Sequence, residues 1–116
     1  MDRGAVRSTI REAESYAAES QLFIDYVRQG RATPHYAQEH AGYLQDAVEH
    51  SRRELERDVA QQDSQEAFDV CRSQLTLLAA ELGSIRAAIG NKDALAAAQP
   101  HIAAIRDRLH KAGTDL

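Results

Sequence analysis

Apolar side chains recur along this chain at alternating spacings of 4 and 3, the period of a helix that buries one face. Val6, Ile10, Ala13, Ala17, Ser20, Ile24 and Val27 keep that rhythm and predict a first helix over 5–29. Gly30 can end it, because glycine takes the left-handed conformation at no steric cost. Thr33 is placed to cap a second helix, with Pro34 at the first helical position, where no backbone N–H is needed. That helix is predicted over 34–61, a third over 64–89 and a fourth over 92–112. Asp63 and Glu66 form a capping-box-like pair for the third, and Gly90 ends it. Asn91 is the expected cap of the fourth, and Gly113 its expected terminator. Thr114, Asp115 and Leu116 are expected to fray.

Pro100 breaks the pattern, since proline inside a helix costs about 3 kcal/mol. The apolar register nevertheless continues from Leu95 through Ile102, which favours one helix kinked near Pro100 over a short helix at 92–98 and a fresh start. The third helix should bury Ala67, Cys71, Leu75, Leu78, Leu82, Ile85 and Ile89, widened by Val70 and Leu77. Leu95, Ala98, Ile102, Ile105 and Leu109 form the matching seam of the fourth. Short links make consecutive helices antiparallel neighbours, so the expected fold is all-α: an antiparallel up-down-up-down four-helix bundle in one domain over 1–116. Small residues form a further stripe, Thr76, Ala80, Gly83 and Ala87, where Gly83 would suit close approach of another helix.

The second helix is unusual in carrying two stripes. Ala37, Ala41, Leu44, Val48, Ser51 and Leu55 make an ordinary core seam. Beside it, roughly 100° round the helix, run Tyr36, His40, Tyr43, Ala47 and His50. All four tyrosines and one of the two phenylalanines fall in the first two helices: Tyr16, Phe23, Tyr26, Tyr36 and Tyr43. Tyrosine suits positions with one apolar and one wet side, which include interfaces.

Composition agrees with helix: Ala, Leu, Glu, Gln and Arg abound while Val, Ile and Thr are sparse. A net charge of −4 without a long basic tract argues against nucleic acid as partner. No apolar run approaches the ~20 residues that span a bilayer, so no membrane partner is expected. The lone Cys71 allows no intrachain disulfide, and the expected setting is cytoplasmic, with an Ala/Arg-rich composition that suggests a bacterial source.

The histidines invite a metal reading, but the spacing is wrong. No Glu-x-x-His, His-x-x-x-His or Cys-x-x-Cys-His occurs, and the acidic neighbours of His35 and His50 read as surface pairs. No metal or other cofactor is expected. Cys71 lies on an apolar seam, no Gly-rich phosphate loop is present, and no acid/base pair stands out, so no catalytic residue is assigned and an enzyme is not expected.

His50 with Arg53 one turn on loosely resembles the phosphoacceptor segment of histidine phosphotransfer domains, four-helix bundles of about this size with an exposed mid-helix histidine. The resemblance covers only His50-Ser51-Arg52-Arg53-Glu54, which departs from their usual His-x-x-Lys-Gly, and Glu54 would repel an incoming phosphoryl group. It implies phosphotransfer through His50 as one alternative function. Another is a small-ligand or sensory bundle with an aromatic-lined cleft between helices 1 and 2. The leading expectation is a non-enzymatic interaction module whose partner is a second copy in a homodimer, with Tyr16, Phe23, Tyr36, His40, Tyr43 and His50 as its candidate surface. From the histidine spacing, a chelator should leave the thermal midpoint unchanged; a drop of several degrees, or stoichiometric zinc or iron on elemental analysis, would contradict that reading.

Overall fold

The computed structural model describes residues 3–57 and 65–116 of the protein. Four helices account for nearly all of them: α1, Arg3–Arg28; α2, Pro34–Arg57; α3, Gln65–Ala87; and α4, Lys92–Thr114. No strand occurs among the described residues. The helices pack as a compact four-helix bundle of 45 × 23 × 16 Å. The predicted end of the second helix at 61 and the Asp63 cap lie outside the described residues.

The local signals act where the sequence places them. Thr33 accepts the Tyr36 N–H on its side-chain oxygen at 3.2 Å, and its carbonyl accepts the Ala37 N–H at 2.9 Å. Asn91 Oδ1 accepts the Ala94 N–H at 3.1 Å. Gly30 and Gly90 have φ of +73° and +98°, and no other described residue has positive φ. α4 runs unbroken through Pro100, which is exposed, so the carbonyl that loses its donor lies toward the solvent side.

Three expectations about helix ends need correction. α3 stops at Ala87, not 89: the Ala88 N–H bonds to Ile85 O and the Asn91 N–H to Ala88 O, turning the chain before Gly90. Gly113 does not terminate α4, which continues to Thr114, with the Asp115 N–H bonded to Lys111 O. Its lack of a side chain serves packing instead, since a Cβ there would stand 3.2 Å from Ile10 Cγ2 of α1. Leu116, expected to fray, packs against the core.

The core is one cluster built from the predicted seams. Val6, Ile10, Ile24, Leu44, Val48, Leu55, Leu75, Leu78, Leu82, Ile102 and Leu109 are fully inaccessible. Phe68, which opens the α3 seam three residues before Cys71, is buried too. Leu77 does not widen the core as expected; it is 45 % exposed, because it falls on the outer side of α3 between Leu75 and Leu78.

Neighbour contacts are uneven. α2 packs extensively on α3, and α1 on α4; α3 and α4 follow, while α1 and α2 meet only sparingly. α1 and α3 also touch across the bundle, whereas α2 and α4 do not. The section is thus a flattened rhombus with α1 and α3 on its short diagonal. Two glycines shape the α2–α3 contact. A Cβ on Gly83 would lie 2.9 Å from Gln45 Nε2, which donates to Ala79 O at 3.3 Å. A Cβ on Gly42 would lie 3.3 Å from Arg86 Cζ. One side chain from each helix therefore crosses a bare glycine on the other.

These two kinds of glycine should respond differently to alanine. Gly90→Ala is expected to lower stability by about 1–2 kcal/mol, the usual cost of left-handed backbone with a Cβ. Gly83→Ala should be near neutral: about 1 kcal/mol of helix propensity is gained, and about 1 kcal/mol is lost as the flexible Gln45 amide swings away from Ala79 O. Urea midpoints of the two variants check both.

Candidate functional site

Because α2 leans on α3, the flank of α2 toward α1 is left largely uncovered, and that flank carries the aromatic stripe. Residues one turn apart stack along it. Tyr36 and His40 have ring centroids 5.8 Å apart with planes 7° from parallel. His40 and Tyr43 are 5.9 Å apart at 24°. From α1, Phe23 meets His40 at 4.9 Å, tilted by 50°. This places the two helices in register, with residue 23 level with residue 40.

Phe23 and His40 form the floor of the seam and the tyrosines its rim. Phe23 is buried, so of the expected surface residues it contributes support and not exposed area. Tyr36 is 51 % exposed and Tyr43 64 %. Leu22, at 71 %, and Tyr26, at 42 %, add to the same face from α1. Glu19, Leu22, Phe23, Tyr26, Tyr36 and His40 line a shallow groove of about 370 Å³. Leu22 and Tyr26 were absent from the sequence-derived surface. The signal for them was present: Glu19, Leu22 and Tyr26 follow one another at 3 and 4 on a flank of α1 turned away from its core seam.

Further along, a polar clasp closes the seam. Ser51 Oγ, buried on α2, donates to Glu12 Oε1 of α1, and the Tyr16 hydroxyl donates to the same oxygen at 3.3 Å. Tyr16 is half-buried, and burial together with the Glu12 carboxylate raises its phenol above the ordinary value. Ser51 thus belongs to the α1–α2 contact as well as to the α2 core seam. Behind the clasp lies Cys71, fully inaccessible; burial first, and then the Glu12 charge, pushes its thiol up to about 12. A thiol so placed stays neutral and inert.

His50 stands apart from this cluster. Its side chain is 73 % exposed, and its Nε2 lies 3.8 Å from Glu54 Oε1, so an acidic group occupies the approach a phosphoryl donor would need. Three other histidines also face a carboxylate: His35 with Glu39, His101 with Glu81 and His110 with Glu14. The last two tie α4 to α3 and α1. His40 alone among the five has aromatic rings and no carboxylate against it, among the described residues. No group of three or more potential metal ligands occurs among the described residues. No helix among them is long and apolar enough to cross a membrane.

A larger hollow, of about 520 Å³, lies between the start of α3 and the end of α4, where Val70, Gln74, Arg108 and Lys111 face it. It contains none of the candidate surface residues named from the sequence, and its walls mix both signs of charge. The structure therefore gathers Tyr16, Phe23, Tyr36, His40 and Tyr43 along one seam, adds Leu22 and Tyr26, and leaves His50 at the far end. No family model, curated protein or solved structure matches this chain.

Two measurements follow from the clasp and the thiol behind it. Ser51→Ala should cost about 1 kcal/mol, because it removes the donor to Glu12 at a buried position. Cys71 should resist a thiol reagent at pH 8 in native buffer and react fully in denaturant. Its folded pKa lies above the unfolded one, so its contribution to stability is intact below about pH 9 and is lost as pH climbs toward 12. Rapid labelling of the native protein would show that the clasp does not seal the core.

Proposed function

We propose that this chain is a non-enzymatic helix–helix interaction module whose contact face is the aromatic seam between α1 and α2. The observation that carries the reading is the exposure of Leu22, Tyr26, Tyr36 and Tyr43 together on one face, above a floor of Phe23 and His40. Scattered apolar residues are normal on a surface, but a contiguous aromatic patch is a mark of an interaction site. The rings are held in place before any partner arrives, because His40 is stacked on both sides and braced by Phe23. A preformed patch loses little side-chain freedom on binding. From Tyr36 to Tyr43 the stacked stripe runs about 10 Å, at 1.5 Å per residue, which is two turns of a docked helix.

The openness of the groove favours a helix over a small molecule as occupant, since small-ligand sites bury most of their ligand. A homodimer, in which two copies apply this face to each other, is one form of the reading. The lone buried thiol and the Ala/Arg-rich composition support a bacterial cytoplasmic setting.

The test is a double substitution, Tyr36→Ala with Tyr43→Ala. Both rings are largely exposed, so helicity should be unchanged and the cost in stability should stay below about 1 kcal/mol. Association with the partner, followed by light scattering or titration, should be lost. A variant that unfolds, or one that binds as well as the wild type, would contradict the proposal.

A further inference from the structure

We infer that the occupant of the α1–α2 seam is a cationic amphipathic helix of another protein, one that lays its apolar residues over the tyrosines and places lysine or arginine beside them. This rests on the interaction-module reading above and adds the chemistry of the partner.

The register of α1 against α2 decides what the seam contains. Phe23 lies against His40, and Glu12 against Ser51, so the antiparallel helices bring residues 12–27 of α1 alongside 36–51 of α2. Neither stretch contains a single lysine or arginine. Together they contain seven carboxylates: Glu12, Glu14, Glu19 and Asp25 on α1, and Glu39, Asp46 and Glu49 on α2. The chain has 14 basic side chains in all, so their absence here is a segregation and not a shortage. The fold sets these two stretches side by side, with Glu19 the one carboxylate that lines the aromatic groove between them, among the described residues.

Not every carboxylate there is available. Glu12 accepts Ser51 and Tyr16, Glu14 faces His110, Asp25 accepts from Gln99, Glu39 faces His35 and Glu49 pairs with Arg52. Glu19 and Asp46 have no partner among the described residues. Glu19 lines the groove itself, and Asp46 sits one turn beyond Tyr43. A carboxylate without a partner in a groove walled by Tyr26, Tyr36 and His40 is suited to a cation. The ring faces attract it through their quadrupoles, and the carboxylate pairs with it.

The same charges disfavour a second copy. A two-fold contact through this face would bring Glu19 and Asp46 of both copies, four carboxylates with no partner of their own, into one interface. Like charges across an interface are strongly unfavourable. A basic helix turns that penalty into attraction, with the apolar contacts to Leu22, Tyr36 and Tyr43 retained.

The experiment titrates the whole protein with a synthetic helix of leucine, alanine and lysine, about 18 residues long so as to be helical when bound. Its control has every lysine replaced by glutamine. The lysine peptide should bind at least about tenfold more tightly than the control, an advantage that shrinks with added salt. Glu19→Gln combined with Asp46→Asn should remove most of it while leaving the melting temperature unchanged. Equal binding of both peptides would overturn the cationic partner but leave the interaction module standing. Absence of binding by either peptide would overturn the inference as well. A wild-type dimer that Tyr43→Ala separates would overturn it in favour of the second copy. Lysine-peptide binding undiminished by the Tyr36→Ala, Tyr43→Ala pair would place the contact elsewhere and overturn both readings.

Discussion

The arrangement of this bundle depends on the contact between α2 and α3, where a side chain from each helix crosses a glycine of the other. Gln45 lies over Gly83 and Arg86 over Gly42. Those glycines leave room for the two side chains, and α2 packs far more extensively on α3 than on α1. A helix has one circumference to distribute, and what α2 gives to α3 it withholds from α1. α1 in turn packs on α4, where Gly113 admits Ile10 and His110 reaches Glu14. The bundle is therefore two tight pairs, α2–α3 and α1–α4, joined through their cores, with a seam between α1 and α2 that is floored but not covered.

The aromatic stripe of α2 has a physical reason for its composition in that setting. Residues at its position must pack on one side and meet water on the other. Tyrosine tolerates both, and histidine at position 40 supplies a flat ring for Phe23 to lean on. Were α1 closer, this flank would bury aliphatic residues like those of the first seam, and no surface would remain for a partner. Charge follows the same division. The groove between α1 and α2 is lined by Glu19 and by no lysine or arginine, among the described residues.

Much of the fold was legible because burial imposes a period, and the period is a property of sequence. The seams of all four helices, the Thr33 and Asn91 caps and the turns at Gly30 and Gly90 are local features that need no knowledge of neighbours. Continuity through Pro100 was legible as well, from the unbroken register of Leu95 and Ile102. What was not legible depends on how helices slide past one another. Gly113 looked like a terminator because its sequence context suits one; only the position of Ile10 shows that it is a packing glycine. Gly42 carried no signal at all, since Arg86 comes from 44 residues away. The aromatic residues could be named from the sequence, but not that Phe23 would be the floor, Leu22 and Tyr26 the opposite wall and His50 an outlier paired with Glu54. Nor could the absence of lysine and arginine from two separate stretches acquire meaning before the register placed them side by side.

Docking on the seam requires that its tyrosine rings face water in the isolated chain and stay free to receive a partner. The direct measurement is the relaxation of aromatic protons by a soluble, uncharged paramagnetic reagent. The ring protons of Tyr36 and Tyr43 should broaden strongly at low reagent concentration, while those of Phe23 and Phe68 stay sharp. Protection of the Tyr36 and Tyr43 rings in the protein alone would mean that α1 or a second copy already covers them, and the seam would not be an open docking face.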